Sequence, residues 1–194
     1  ALARNALSLM LVALLMRCAE SPTADGGSNT GNAGTIAGTL VDSTGEPVAG
    51  LVAKLYRSDA LPVLPGEPDT NVVARDTCGP DGAYEFAGID PAVYNVECVD
   101  SVTERAALVV GVDARADDTV SAGSVPLRAT DSVVGIITNP QTDTTVCFVF
   151  GSSRLSVSDD PGGFFALRGI PHGPYDIEFR DWRNSGPGRC RYTY

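Results

Sequence analysis

The stretch DGAYEFAGIDPAVYNVE, residues 81–97, decides the fold. Its Asp-Gly pair is a strong hairpin signal, because glycine adopts a positive φ without steric cost. Tyr84 and Phe86 alternate with small or polar neighbours, as in a strand with one buried face. Gly88 and Asp90 end this strand, and a second alternating strand follows. The stretch therefore predicts two strands, each preceded by a turn.

The same pattern returns in GFFALRGIPHGPYDIE, residues 163–178. The matched pairs, all at one constant offset, are Gly82 and Gly163, Tyr84 and Phe165, Phe86 and Leu167, Gly88 and Gly169, Ile89 and Ile170, Tyr94 and Tyr175, and Glu97 and Glu178. An ungapped match of turn glycines and inward-facing apolar residues indicates a duplicated β unit.

Composition fits two small, turn-rich domains. The chain has 194 residues, of which 43% are hydrophobic, 21 are Gly and 13 are Pro. No sustained helical period occurs beyond residue 20, so we predict an all-β protein. The net charge of −10 argues against nucleic acid as a partner and against electrostatic docking on anionic lipid, since both are negatively charged.

The N-terminal segment predicts export. Arg4 precedes an apolar run at residues 6–16, which is too short for a transmembrane helix but has the length of a signal-peptide core. Cys18 follows, and residues 19–34 are rich in Gly, Ser, Asn and Thr, as in a flexible tether. This arrangement resembles a bacterial lipoprotein signal, which implies lipid modification at Cys18, although Arg17 departs from the small residue of that family. Ordinary secretion without an anchor is the alternative.

The first repeat reads as a series of short strands. In the segment 49–56, Leu51, Ala53 and Leu55 are predicted to face the core and Lys54 to face solvent. A Pro-rich loop follows and is either functional or mobile. The other strands of this repeat outside residues 81–97 are predicted at 35–42, 105–112 and 119–127, and residues 72–77 lead into the 81–97 hairpin.

These residues resemble a carboxypeptidase regulatory-like domain over residues 35 to about 113. The matching positions are Gly38, Asp42, Gly45, Pro47, Val48, Gly50, Thr77, Asp81, Gly82, Tyr84, Phe86, Gly88, Ile89 and Tyr94. The resemblance implies a seven-stranded, prealbumin-like β-sandwich of the kind used as an accessory module in secreted and surface proteins. It implies no peptidase site.

The second repeat is shorter. Strands are predicted at 133–138, 145–151 and 154–158, with Gly135 in the place of Gly38. The segment after Phe179 offers few closing strands, so the second sandwich is predicted to be incomplete and to expose an edge.

The predicted organisation has four parts. It consists of a signal segment (1–18), a tether (19–34), and two tandem β-sandwiches with prealbumin-like or immunoglobulin-like architecture at 35–128 and 132–194.

We predict no catalytic site, no metal site and no cofactor. His172 is the only histidine and lies between Pro171 and Gly173 in a turn, where we interpret it as a turn residue. The chain has no Gly-x-Ser-x-Gly elbow, paired-histidine metal motif or phosphate loop.

Four cysteines besides Cys18 are candidates for disulfides, because an exported chain meets an oxidising environment. Cys78 precedes the 81–97 hairpin and Cys98 ends its return strand, so a bridge between these two cysteines is plausible. A bridge between Cys147 and Cys190 would be its counterpart in the second repeat. Free buried thiols are the alternative, since sequence does not fix connectivity.

Three aromatic residues outside the repeat core are possible ligand-stacking positions: Trp182, Tyr192 and Tyr194. The sequence as a whole predicts a non-enzymatic lipoprotein of the bacterial cell envelope with a structural or binding role. Its predicted partners are the membrane, through a lipid anchor, and a glycan or an envelope protein. A carbohydrate-binding module and the accessory domains of a longer enzyme are the alternatives.

Overall fold

The computed structural model describes residues 33–137, 144–158, 160–174, 176–181 and 192–193. All regular secondary structure in these ranges is β-strand, which confirms the predicted all-β fold. The strands are β1 (Gly34–Val41), β2 (Val52–Arg57), β3 (Val72–Thr77), β4 (Ala83–Ile89), β5 (Ala92–Asp100), β6 (Arg105–Ala114), β7 (Thr119–Pro126), β8 (Arg128–Ile136), β9 (Thr145–Val149), β10 (Leu155–Ser158), β11 (Phe164–Pro171), β12 (Asp176–Asp181) and β13 (Tyr192–Thr193). Within these ranges no helix could span a membrane.

The first repeat is a sandwich formed by strands β1 to β7. One sheet has the order β4-β1-β7, and the other contains β3-β2-β5-β6. Strand β1 pairs antiparallel with β4 and parallel with β7. Inward-facing side chains of both sheets form one buried cluster, which includes Ile36 and Leu40 from β1 and Leu55 and Val96 from the other sheet. Seven strands in two layers agree with the sandwich expected from the sequence.

The second repeat reuses this pairing pattern. Strand β8 pairs antiparallel with β11 as β1 does with β4, and β9 lies between β10 and β12 as β2 lies between β3 and β5. Strand β13 pairs with β12 as β6 pairs with β5. The core of this repeat is formed by Cys147, Val149, Phe165, Leu167, Ile170, Ile177 and Phe179. The ring centroids of Phe165 and Phe179 lie 4.6 Å apart in an edge-to-face contact.

Strand β8 belongs to both repeats. Only Leu127, which is buried, separates the end of β7 from the start of β8. Arg128 and Ala129 pair with β6 of the first repeat, and the following residues pair with β11 of the second. One six-stranded sheet therefore runs through both repeats, in the order β11-β8-β6-β5-β2-β3. The predicted boundary between residues 128 and 132 falls inside this strand, and the domain limits stay a prediction.

A glycine faces an aromatic ring at the same place in each repeat. Gly38 of β1 lies opposite Tyr84 of β4, and Gly135 of β8 lies opposite Phe165 of β11. A Cβ atom on Gly38 would lie 2.3 Å from the Tyr84 hydroxyl oxygen, and one on Gly135 would lie 2.7 Å from the Phe165 ring. The ring thus occupies the space that a side chain would need, which explains why both glycines recur in the sequence.

Gly135→Ala should lower the free energy of unfolding by about 1–3 kcal/mol, because the added methyl group overpacks the core against the Phe165 ring. Urea denaturation of the purified protein measures this loss.

A Phe165→Leu background provides the control. Gly135→Ala should cost clearly less there, because the smaller side chain leaves room for the methyl group. An equal loss in both backgrounds would show that the ring is not the reason for the glycine.

Candidate functional site

The outer face of β5 is buried in the middle of the strand, although Val93 near its start is 42% exposed. Tyr94, Val96 and Cys98 point into the core of the first repeat, as the alternation of the strand requires. Asn95 and Glu97 lie on the opposite face, yet they are only 3% and 0% exposed. The residues that cover them belong to the second repeat, in the connection between β9 and β10 at residues 150–154. We call this contact the repeat junction.

Glu97 is the centre of the repeat junction. Its Oε1 accepts a hydrogen bond of 2.8 Å from Nε of Arg154, and its Oε2 accepts one of 3.0 Å from the backbone N–H of Ser153. The Arg154 side chain is 14% exposed. A carboxylate removed from water needs both a countercharge and hydrogen-bond donors, and the turn of the second repeat supplies both.

Asn95 adds a second set of bonds beside Glu97. Its Nδ2 donates to the carbonyl of Phe150 at 3.0 Å, while its Oδ1 accepts from the backbone N–H of Gly111 on β6 at 3.0 Å. The N–H of Gly151 donates to the carbonyl of Ala60 at 2.8 Å. The turn is thus tied to β5 and to the β2–β3 loop through directional bonds, and Asn95 is itself held by β6.

Two glycines make room for this contact. Gly151 has a φ of +60°, and a Cβ there would lie 2.4 Å from Nδ2 of Asn95. Gly169 has a φ of +72°, and a Cβ there would lie 2.7 Å from Nη1 of Arg154. Gly88 occupies the position equivalent to Gly169 in the first repeat and has open space beside it. The glycine therefore lies at a register shift within its strand in both repeats, and in the second repeat it also leaves space for the Arg154 side chain.

The Pro-rich loop between β2 and β3 is anchored beside the repeat junction. Nζ of Lys54 lies 3.1 Å from Oδ2 of Asp69, and the Tyr56 hydroxyl donates to the same oxygen at 2.6 Å. The prediction that Lys54 faces solvent is only partly right, since its side chain is on the outer face but only 31% exposed. The loop spans residues 58–71, against 150–154 for the equivalent connection. The loop therefore contains nine more residues than the equivalent connection of the second repeat.

A cavity of about 460 Å³ lies next to the repeat junction. Its charged lining consists of Asp100, Glu104, Arg105, Asp131, Arg154 and Arg168. Three carboxylates and three guanidinium groups leave the described lining without a net charge that would attract an ion of one sign.

The single histidine lies outside the repeat junction, in the turn after β11. Nε2 of His172 is 2.8 Å from Oδ2 of Asp131, and the two side chains are 50% and 46% exposed. The contact is an exposed pair of the kind that contributes little to stability. Among the described residues no group of three or more metal-ligating side chains is present.

The cysteines occupy buried positions. Cys78 and Cys98 lie in the core of the first repeat, where both are free thiols. Cys147 is buried in the core of the second repeat, where burial raises its pKa to about 12. Cys18 and Cys190 lie outside the described residues, as do the ligand-stacking candidates Trp182 and Tyr194, while Tyr192 lies in β13. The predicted roles of these residues stay predictions.

Sequence reasoning missed the repeat junction. Asn95 and Glu97 occupy the polar positions of an alternating strand, which is the usual pattern for a solvent-facing side. Arg154 is 57 residues from Glu97 in the sequence, so no local pattern links them. The one usable signal is the recurrence of the acid as Glu178, which distinguishes Glu97 from an ordinary surface position.

The fold and the junction define a duplicated all-β chain whose repeats are in contact. No protein-family model and no curated protein matches it. Solved structures similar to it include the Bacillus anthracis TIE protein, with 9% identity, a TM-score of 0.34, and coverage of 84% of this chain and 31% of that one. A streptococcal ancillary pilin has 13% identity and a TM-score of 0.33, with 84% and 59% coverage.

The shaft pilin SpaA of Lactobacillus rhamnosus GG, as a D295N mutant, has 15% identity and a TM-score of 0.32, with coverage of 84% and 94%. This chain thus spans less than two thirds of the TIE protein and of the ancillary pilin, but nearly all of the shaft pilin. Because the identities and TM-scores are this low, the function has to be inferred from the molecule itself.

Glu97→Ala removes the carboxylate and leaves the Arg154 guanidinium buried without its countercharge. We expect the free energy of unfolding to fall by about 3–5 kcal/mol, because removing one partner of a buried ion pair leaves the other charge buried and uncompensated. Urea denaturation of the purified protein measures it.

Two variants calibrate this loss. Glu85→Ala changes an exposed glutamate on β4 and should alter stability by less than about 0.5 kcal/mol. The double variant Glu97→Met with Arg154→Met should recover most of the loss, because neither charge then has to be desolvated. A loss for Glu97→Ala as small as that for Glu85→Ala would contradict the importance of the repeat junction.

Proposed function

We propose that this chain is an exported, non-enzymatic structural module of a bacterial cell envelope, in which the two repeats act as one rigid body. The observation that carries the proposal is the buried pair of Glu97 and Arg154 between the repeats. A protein whose function is to hold a shape needs its units fixed relative to one another, and this pair fixes them.

The geometry of the repeat junction supports rigidity. Rotating one repeat against the other would separate Arg154 and Ser153 from Glu97 and would leave a buried carboxylate without partners. That costs several kcal/mol, which makes a bent arrangement rare at equilibrium. The continuous strand β8 removes the flexible linker that usually allows domains to reorient.

The N-terminal segment supports export and attachment. An apolar run of signal-peptide length at residues 6–16 is followed by Arg17 and Cys18, and the tether after Cys18 leads into β1 at Gly34. On this proposal Cys18 carries the lipid anchor, and the tether at residues 19–34 separates the rigid pair of repeats from the membrane surface. The resemblance to carboxypeptidase regulatory-like modules fits the same role, because such modules accompany surface proteins without catalysing a reaction.

The mass of the intact protein from its native host tests the attachment. We expect a chain that begins at Cys18 and carries added acyl mass, located in the membrane fraction. The Cys18→Ser variant should lack the acyl mass and leave that fraction, because a single thiol is the point of attachment.

A chain that begins elsewhere and carries no acyl mass would contradict the anchor. Retention on a polysaccharide column that is lost in Trp182→Ala would replace the structural role with carbohydrate binding.

A further inference from the structure

Strand β7 has no counterpart in the part of the second repeat that the structure describes. In the first repeat, β7 pairs parallel with β1 from Thr35 to Val41. Strand β8 takes the place of β1, and it pairs with β11 along one edge and with β6 at Arg128 and Ala129 along the other. The remaining strands of the second repeat, β9, β10, β12 and β13, form a different sheet. Among the described residues, no strand therefore pairs with β8 over residues 131–136 on the side away from β11, which we call the β8 edge.

The β8 edge presents backbone hydrogen-bonding groups. The N–H of Ile137 donates to the carbonyl of Gly163, towards β11, at 2.8 Å, whereas the N–H of Thr130 donates to the carbonyl of Glu104, on the other side, at 3.1 Å. Successive residues of a strand direct their N–H and C=O groups to opposite sides. The groups that point to the β8 edge are therefore those of the even-numbered residues: Ser132, Val134 and Ile136.

The first repeat shows what these groups bind. Thr35 is the equivalent of Ser132, because Gly38 and Gly135 occupy equivalent positions. The N–H of Thr35 donates to the carbonyl of Asp118, the residue before β7, at 2.9 Å. The same backbone position thus bonds a parallel strand in one repeat and faces an open edge in the other. A row of open N–H and C=O groups is a template for pairing with another strand.

The core beneath the β8 edge is less well covered than its counterpart. In the first repeat Ile36 and Leu40 are both 0% exposed, and β7 contributes three apolar residues to the packing around them: Val120, Ala122 and Val125. The equivalent residues Val133 and Ile137 pack against the core of the second repeat but are only partly buried. Leu108 of β6 covers one part of this core. The part that β7 covers in the first repeat therefore has room for further apolar side chains.

The outer face of the sheet is also apolar along the β8 edge. Val134 and Ile136 are exposed, and Phe164 of β11 lies directly opposite Ile136. In the first repeat the equivalent residues Ala37 and Thr39 lie opposite two serines of β7. Neighbouring side chains on adjacent strands stabilise a sheet most when both are apolar or aromatic. A strand at the β8 edge is therefore favoured when it has apolar side chains on this face too.

We propose that the β8 edge is a docking site for an extended segment of another protein chain, which adds to the sheet as a strand parallel to β8. The segment has small apolar side chains at the alternate positions that face the core, as β7 has, and apolar side chains beside Val134 and Ile136. Backbone hydrogen bonds provide the affinity, and these side chains provide the selectivity. The inference follows from the comparison of the two repeats and does not depend on export or on an anchor at Cys18.

A second copy of this chain fits the β8 edge less well than a different protein. Its β7 is already paired with its own β1. Two copies related by a two-fold axis would pair their β8 edges antiparallel, whereas β7 lies parallel to β1. Each copy also has a net charge of −10, so electrostatic repulsion opposes the association of like chains.

Amide hydrogen exchange of the full chain, followed residue by residue by NMR, tests whether the β8 edge is open. We expect the amides of Ser132, Val134 and Ile136 to exchange much faster than those of Thr35 and its neighbours in β1, because only the latter are bonded to a second strand. The protein is measured at several concentrations, so that pairing between copies is detected as protection that increases with concentration.

A synthetic peptide with the sequence of residues 118–127, which contains β7, is the probe for docking. At a peptide concentration that occupies about nine tenths of the chain, exchange at the three edge amides should slow by about tenfold, because only the free fraction exchanges. The control peptide has the same backbone without the apolar side chains that face the core, through Val120→Ser, Ala122→Ser and Val125→Ser. It should bind at least about tenfold more weakly.

Two variants of Val134 separate backbone pairing from apolar contact. Val134→Pro removes the N–H that points to the β8 edge and leaves the bonds of β8 to β11 in place, so the affinity for the peptide should fall roughly tenfold. Val134→Thr keeps the N–H and should keep most of the affinity. Unchanged NMR signals of β11 show that the sheet remains intact in each variant.

Each outcome decides for or against the proposal. Protection of the edge amides by the peptide, weakened by the control peptide and by Val134→Pro, supports it. Edge amides that exchange fast and are not slowed by the peptide would overturn the docking site. Edge amides that are protected in the dilute chain alone would show that a segment of this chain covers the edge, and protection that increases with protein concentration would assign it to a second copy. Both results would overturn docking of another protein.

These measurements are independent of the proposed attachment. A chain that binds the peptide but lacks acyl mass in its native host would keep the docking site and lose the anchor. A chain that carries the acyl mass but does not bind the peptide would keep the anchor and lose the docking site.

Discussion

The buried carboxylate of Glu97 is the constraint on which the arrangement of the two repeats depends. A charge with no exposed surface is costly in a protein interior unless it is paired and hydrogen-bonded. In this chain both partners come from the other repeat, from Arg154 and the N–H of Ser153. The first repeat can therefore bury the outer face of β5 without penalty only when the second is in place. This makes the repeats one cooperative structure.

The two faces of strand β5 make different contacts. Its inner face supplies core side chains, including Cys98, and its outer face supplies Asn95 and Glu97 to the repeat junction. The second repeat reaches that outer face because its β9–β10 connection is short and contains Gly151 at the point of closest approach. The longer β2–β3 loop of the first repeat lies beside this turn. The two repeats therefore share one fold but differ in one internal connection. This connection is the β2–β3 loop in the first repeat and the β9–β10 turn in the second.

The sequence predicted the fold well because its signals are local. Asp81 and Gly82 specify a turn, and Tyr84 and Phe86 specify the inner face of β4, within a span of six residues. The repeat junction could not be predicted in this way, because it depends on a contact across 57 residues and on a polar position that looks solvent-exposed. The exposure expected for Lys54 was partly wrong for the same reason, since its partner Asp69 comes from a loop without regular structure.

The two repeats share their interiors but not their outer faces. The glycine opposite an aromatic ring and the inward-facing apolar residues recur, because a change at any of them would disturb a packed core. The outer face of β8 and β11 is different: Val134, Ile136 and Phe164 are 60%, 67% and 47% exposed, where the first repeat has Ala37, Thr39 and Ala83. No packing requirement fixes residues on an exposed face. The exposed apolar side chains on β8 and β11 are therefore a difference between the repeats that the packing of the described cores does not require.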